Sequence, residues 1–112
     1  MEKQPKKPTV NWEAKKALLV KANCKCVYCG FDFLGSGSHF GCLDWDHLTS
    51  QRDGGTDEGN LVPACRLCNV LKGRRSFSTI EEGQRVLNDM RENYLKTWGY
   101  YELKGRNRRN KA

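Results

Sequence analysis

The sequence predicts an α+β fold, and three observations predict it. Two short runs, Cys42–Leu48 and Asn60–Pro63, have the length and apolar pattern of strands. Three other stretches, beginning at Trp12, Pro63 and Thr79, carry apolar residues at helical spacing. Two Cys-x-x-Cys pairs, Cys26/Cys29 and Cys65/Cys68, bracket the strand runs. With 112 residues, 38% of them hydrophobic, and a mean hydropathy of −0.78, the chain is one small domain with a modest core. A domain of this size gains from a metal staple.

Residues 1–10 hold Pro5, Pro8, Lys3, Lys6 and Lys7 and read as a flexible basic leader. Asn11 can cap a helix from Trp12 to about Ala22, with Trp12, Ala14, Leu18, Leu19 and Ala22 as its apolar face. Cys26 to Gly30 forms a knuckle, and the glycines and serines of residues 31–41 suit a loop or hairpin tip. Leu43, Trp45 and His47 alternate with Asp44 and Asp46, which is a strand. Gly54-Gly55 marks a turn, and Asn60-Leu61-Val62 is a second strand ending at Pro63. Pro63 is expected to open a helix carrying Cys65, Cys68 and Asn69 and stopping near Gly73. Ser78 with Glu81, or Thr79 with Glu82, begins a long helix whose face runs Ile80, Gly83, Leu87, Met90, Tyr94, Trp98, with Gly99 as its end. That stripe reads as core. Residues 11–104 are thus one domain with its motif core at 26–73, and 105–112 are a basic C-terminal tail.

The N-terminal residues lack the apolar segment of a secretory signal, and no run approaches the roughly 20 apolar residues of a membrane span. The expectation is a cytoplasmic protein without a membrane partner, in which paired cysteines bind metal more often than they form disulfides. Four thiolates suit tetrahedral Zn²⁺ and leave no open position, so Cys26, Cys29, Cys65 and Cys68 describe a structural site. Cys24 and Cys42 fall outside the paired spacing and read as ordinary small side chains. A thioredoxin-like redox pair needs a βαβ context that this pattern lacks. The net charge of +7 favours a polyanion as partner, and the basic residues concentrate at both ends.

The polar residues between and after the cysteine pairs carry the chemistry. Written through, CVYCG … LDWDHLTSQRDGGTDEGNLVPACRLCNVLKG resembles the HNH endonucleases of the ββα-metal superfamily, in the subgroup with a four-cysteine zinc. Each piece is common alone, and their joint order and spacing make the signal. The resemblance implies a small ββα-metal domain with flanking helices that hydrolyses DNA in the cytoplasm of a bacterium or a phage-infected host. It implies that His47 is the general base and that Asn60 holds the inter-strand loop and so orients the histidine. Asp46 and Asn69, the latter in place of the third motif histidine, would be ligands of one catalytic Mg²⁺ or Mn²⁺. Where the family often carries proline in the loop after the histidine, this chain has Ser50, which bears on the stiffness of that loop. Trp45 is bulkier than the usual aliphatic residue.

Phosphodiester cleavage independently asks for these residue types. It needs a water deprotonated and placed in line, and charge neutralised on the phosphoryl oxygens and the leaving group. A histidine accepts a proton near neutral pH, and carboxylate and amide oxygens suit a hard cation. Adjacent strand residues point to opposite faces, so the strand must end or bulge at His47 for Asp46 and His47 to serve one site. Arg52, Lys72, Arg74 and Arg75 are candidates for phosphate contacts. The rival readings are a non-catalytic zinc-stabilised nucleic-acid-binding module and an RNase or nuclease toxin. The first would not need Asp46, His47 and Asn69 together.

Overall fold

The computed structural model describes residues 11–57 and 59–110, the last four by backbone alone; the expected leader at 1–10 and the last two residues of the expected tail lie outside it. Helix α1 spans Trp12–Lys21. The Asn11 side-chain oxygen accepts the Glu13 N–H at 2.9 Å, as the cap required. Leu19 is buried and Leu18 and Ala22 are half-buried, whereas Trp12 and Ala14 stay exposed, so the inward face is narrower than its apolar spacing. The knuckle follows: the Cys26 carbonyl accepts the Gly30 N–H, and the Cys26 N–H donates to Phe31, both at 2.9 Å. In the stretch expected to be loop, a one-turn helix α2 forms over Gly37–Phe40. The Ser36 hydroxyl oxygen caps it by accepting the His39 N–H at 3.1 Å.

Strands β1 (Leu43–His47) and β2 (Leu61–Cys65) pair antiparallel, with Leu43 opposite Cys65, Trp45 opposite Pro63 and His47 opposite Leu61. The second strand therefore does not end at Pro63, and Pro63 does not open a helix. In this register the Pro63 backbone faces away from β1: its carbonyl accepts the Val27 N–H at 3.1 Å. The missing N–H removes nothing from the ladder. Helix α3 starts one residue beyond the strand and spans Arg66–Lys72, and Cys65 is its cap, with Sγ accepting the Cys68 N–H at 3.4 Å. One of the four thiols thus terminates a strand and begins a helix.

Helix α4 spans Ile80–Thr97. Thr79 is the cap and accepts the Glu82 N–H at 3.1 Å, which selects the second of the two expected capping pairs. Gly83 is required by close approach: a Cβ there would stand 2.6 Å from Tyr28 Cε1 and 2.8 Å from Phe77 Cδ2. The helix consequently sits flat on those two rings, and Leu87, one turn on, is fully buried. The apolar stripe is core only along this first half. Tyr94 is 40% and Trp98 72% exposed, so its far end leaves the body of the domain. After Gly99 a further helix α5 spans Tyr100–Asn110 and contains most of the expected basic tail. The Tyr101 hydroxyl ties it back to α4 by donating to Glu92 Oε2 at 2.7 Å. The sequence between Tyr100 and Asn110 is rich in residues that tolerate helix, and Gly99 interrupts it without preventing a restart. The result is a two-stranded sheet with α3 packed on it, α4 against α3, α1 against β2, and a core of Leu19, Tyr28, Phe33, Ala64, Phe77 and Leu87.

Candidate functional site

The sulfur atoms of Cys26, Cys29, Cys65 and Cys68 all lie within 4.8 Å of one another. Cys29 and Cys65 Sγ are 3.6 Å apart, close to the roughly 3.8 Å edge of a tetrahedron with 2.3 Å zinc–sulfur bonds. Cys24 and Cys42 stand outside the cluster, as expected. Hydrogen bonds from Cys29, Cys65 and Cys68 drive the Cys26 thiol well below its usual range, while donation to Cys26 raises Cys65 and Cys68. The donor set and its compactness fit a structural zinc, held between the knuckle, the end of β2 and the first turn of α3. From α4, Arg91 Nη1 donates to Cys68 Sγ at 3.5 Å.

Asp46, on β1, is 6% exposed. Its Oδ2 accepts the Tyr28 hydroxyl at 2.7 Å, and its Oδ1 accepts the Lys72 ammonium at 3.2 Å. Lys72 is 1% exposed and also donates to the His47 carbonyl at 2.7 Å. Expected on the nucleic-acid surface, Lys72 is instead the internal partner of the acid, because its place on α3 directs it under β1. Burial and then the bond to Asp46 raise the Tyr28 hydroxyl far above its ordinary value, so it stays a donor. Tyr28 belongs to the cysteine knuckle and Lys72 to α3. Both arms of the four-cysteine cluster therefore also grip Asp46.

His47 closes β1, so the strand ends there, one of the two expected arrangements. Its Nε2 lies 2.5 Å from Asp57 Oδ1, and the ring is 22% exposed. Asn60 joins the two loops beside it. Its Oδ1 accepts the Thr49 N–H at 2.7 Å, and its Nδ2 donates to the Thr49 and Thr56 carbonyls at 2.9 Å. The two loops meet so closely that a Cβ on Gly55 would lie 1.9 Å from the Thr49 oxygen. Ser50 stiffens the same turn. Its N–H donates to Ser76 Oγ at 2.7 Å, its hydroxyl oxygen accepts the Arg52 N–H at 3.2 Å, and its carbonyl accepts the Gly55 N–H at 3.0 Å.

Asp46, His47, Ser50, Arg52, Lys72 and Arg74 line one open cleft of about 280 Å³. Arg52 and Arg74 stand exposed at its rim. Arg75 turns back instead and donates to the Leu71 and Lys72 carbonyls at 3.2 Å, closing the end of α3. Asn69 is half-buried, and its amide nitrogen lies 3.5 Å from Asp44 Oδ2 rather than in the cleft lining. Among the described residues the compact group of possible metal ligands is the four-cysteine cluster, and no carboxylate joins it. Each Asp46 oxygen keeps a lone pair beyond its one hydrogen bond, a donor type that suits a hard cation.

Two participants, Tyr28 and Asp57, escaped the sequence, and a third, Lys72, was expected in a different role. Tyr28 lies inside a cysteine pair, where a spacer is the ordinary reading. Lys72 stands three residues after Asn69, a helical neighbour that could have been placed on the same face. Asp57 sits among turn residues and has no signal of its own. Compared with known families, residues 26–75 match HNH endonuclease. Comparison with curated proteins and with solved structures gave no match.

Proposed function

From the HNH endonuclease segment that this chain carries over residues 26–75, we propose that it is a divalent-metal-dependent DNA endonuclease with His47 as its general base. The observation that carries the reading is that Asp46 and His47 line one cleft with arginines at its rim, inside a segment of nuclease type. In this reading Arg52 and Arg74 receive the phosphate backbone at the cleft mouth. His47 takes the proton from the attacking water. Asn60 keeps the ring in place by joining the loops on either side of it. Asp46 and Asn69 would hold one Mg²⁺ or Mn²⁺, which supplies charge neutralisation at the phosphoryl oxygens and the leaving oxygen. The products implied by the family resemblance are 5′-phosphate and 3′-hydroxyl ends. The zinc has the separate task of fixing α3 and the knuckle around Asp46.

One observation favours a second reading, the non-catalytic zinc-stabilised nucleic-acid-binding module. Lys72 already neutralises Asp46, and Asn69 leans on Asp44. Supercoiled plasmid and a matched RNA, each incubated with Mg²⁺, with Mn²⁺ and with EDTA, separate the readings. Metal-dependent nicking of DNA supports the nuclease. Binding without cleavage in any metal supports the module, and preferential cleavage of the RNA makes the chain an RNase.

A further inference from the structure

We propose that Asp57, outside the residues that the motif resemblance assigned, is the positioning residue for His47: it fixes the tautomer of the imidazole that acts as base. The inference rests on the reading of His47 as general base and assigns that residue a partner. The Nε2 of His47 and the Oδ1 of Asp57 are 2.5 Å apart. An ionised carboxylate has only acceptors, so the ring nitrogen facing it must carry the proton. A neutral imidazole has one N–H and one lone pair. With the proton held on Nε2, the lone pair is on Nδ1 and is free to receive the proton of a water. As the ring becomes imidazolium, the carboxylate already in place stabilises the new charge.

The pairing is built by the fold and not by two side chains that happen to meet. The Asp57 carbonyl accepts the N–H groups of Asn60 and Leu61, both at 3.3 Å, which fixes Asp57 at the entrance to β2. The Asn60 side chain holds Thr49, two residues past His47, and Thr56, the residue before Asp57. The one amide therefore sets the distance between the strand that carries the ring and the turn that carries the carboxylate. Asp57 makes no other side-chain hydrogen bond among the described residues. A partly exposed contact of this kind is ordinarily a weak surface interaction, so the test must read the ring itself.

The chain has two histidines, His39 and His47, so proton–nitrogen correlation spectra of the zinc-loaded full chain resolve both rings, with His39→Ala giving the assignment. In the wild type the neutral His47 ring is expected as the single Nε2–H tautomer. Asp57→Ala should convert it to a mixture, and Asp57→Glu should restore the wild-type form in part. In parallel, Asp57→Ala should slow single-turnover plasmid cleavage by about 10²-fold at unchanged zinc content and DNA affinity, with partial rescue by Asp57→Glu. If tautomer and rate are both untouched by Asp57→Ala while His47→Ala abolishes cleavage, the role of Asp57 is overturned and the nuclease reading stands. If the wild type cuts nothing although its ring follows Asp57, the nuclease reading falls and takes the catalytic role with it.

Discussion

The Lys72 ammonium and the Asp46 carboxylate meet at 3.2 Å with side-chain exposures of 2% and 7%. This buried pair is the joint between β1 and α3, the helix that carries Cys68 of the four-cysteine cluster. Removing one partner of such a pair strands the other charge in a low-dielectric interior. Lys72→Met should therefore lower unfolding free energy by about 3–5 kcal/mol, seen as a lower denaturant midpoint. Adding Asp46→Asn should recover part of the loss, because the uncompensated carboxylate is then gone. Additive losses in the double variant would mean that the two charges are not coupled.

Zinc should be present at one per chain, held by Cys26, Cys29, Cys65 and Cys68. Cys65 also ends β2 and caps α3, so Cys65→Ser attacks the metal and the local fold together. The variant should lose its zinc and its cooperative unfolding transition, since small zinc sites contribute folding free energy directly. Metal analysis together with a thermal melt checks this. A fully folded, zinc-free Cys65→Ser chain would contradict it.

Ser50 occupies the place where the related motif often has proline, and its φ of −56° is one that proline adopts. The backbone would accept the change, yet the Ser50 N–H is already committed to Ser76 Oγ at 2.7 Å. Ser50→Pro should thus destabilise the chain by about 1–2 kcal/mol instead of stiffening it. Denaturant titration of the variant measures the sign. A higher midpoint would show that this hydrogen bond contributes less than the unfolded-state entropy that proline removes.

Deleting residues 105–112 removes Arg106, Arg108, Arg109 and Lys111. If this arm tracks phosphates, the slope of log affinity against log salt should flatten by up to about 3.6, four charges at about 0.9 each, with the saturated single-turnover rate preserved. Arg74→Ala acts at the cleft rim and should instead lower that rate by about 10–100-fold, the equivalent of one charge-assisted hydrogen bond of about 1.5–3 kcal/mol. An unchanged salt slope would make the basic end a solubility device. An unchanged rate would remove Arg74 from the site.

What the sequence made legible follows from the range of each interaction. Caps are local, and Asn11 and Thr79 could be read because donor and acceptor lie within three residues. The four cysteines announced themselves by spacing. The two-residue period of a strand called for an end or a bulge at His47, and the pairing with Leu61 makes it an end. A proline before a cysteine pair looks like a helix start, whereas Pro63 lies inside β2. Its real freedom comes from an antiparallel register that only the partner strand defines. The helical signal of Ile80–Trp98 was sound, but periodicity does not say where the partner surface stops, so Tyr94 and Trp98 were counted as core. The fate of Lys72 depended on a contact 26 residues away in sequence. No composition rule distinguishes that lysine from a solvated one.

His47 is expected to perform the chemical step and the zinc none. The most direct measurement is single-turnover cleavage of supercoiled plasmid by the wild-type chain and by His47→Ala, at saturating enzyme with Mg²⁺ or Mn²⁺ and with zinc content determined on the same samples. The wild type should cut, and His47→Ala should lose about 10²–10⁴-fold in rate while retaining its zinc and its DNA affinity. Wild-type cleavage by a zinc-loaded His47→Ala chain would contradict the account.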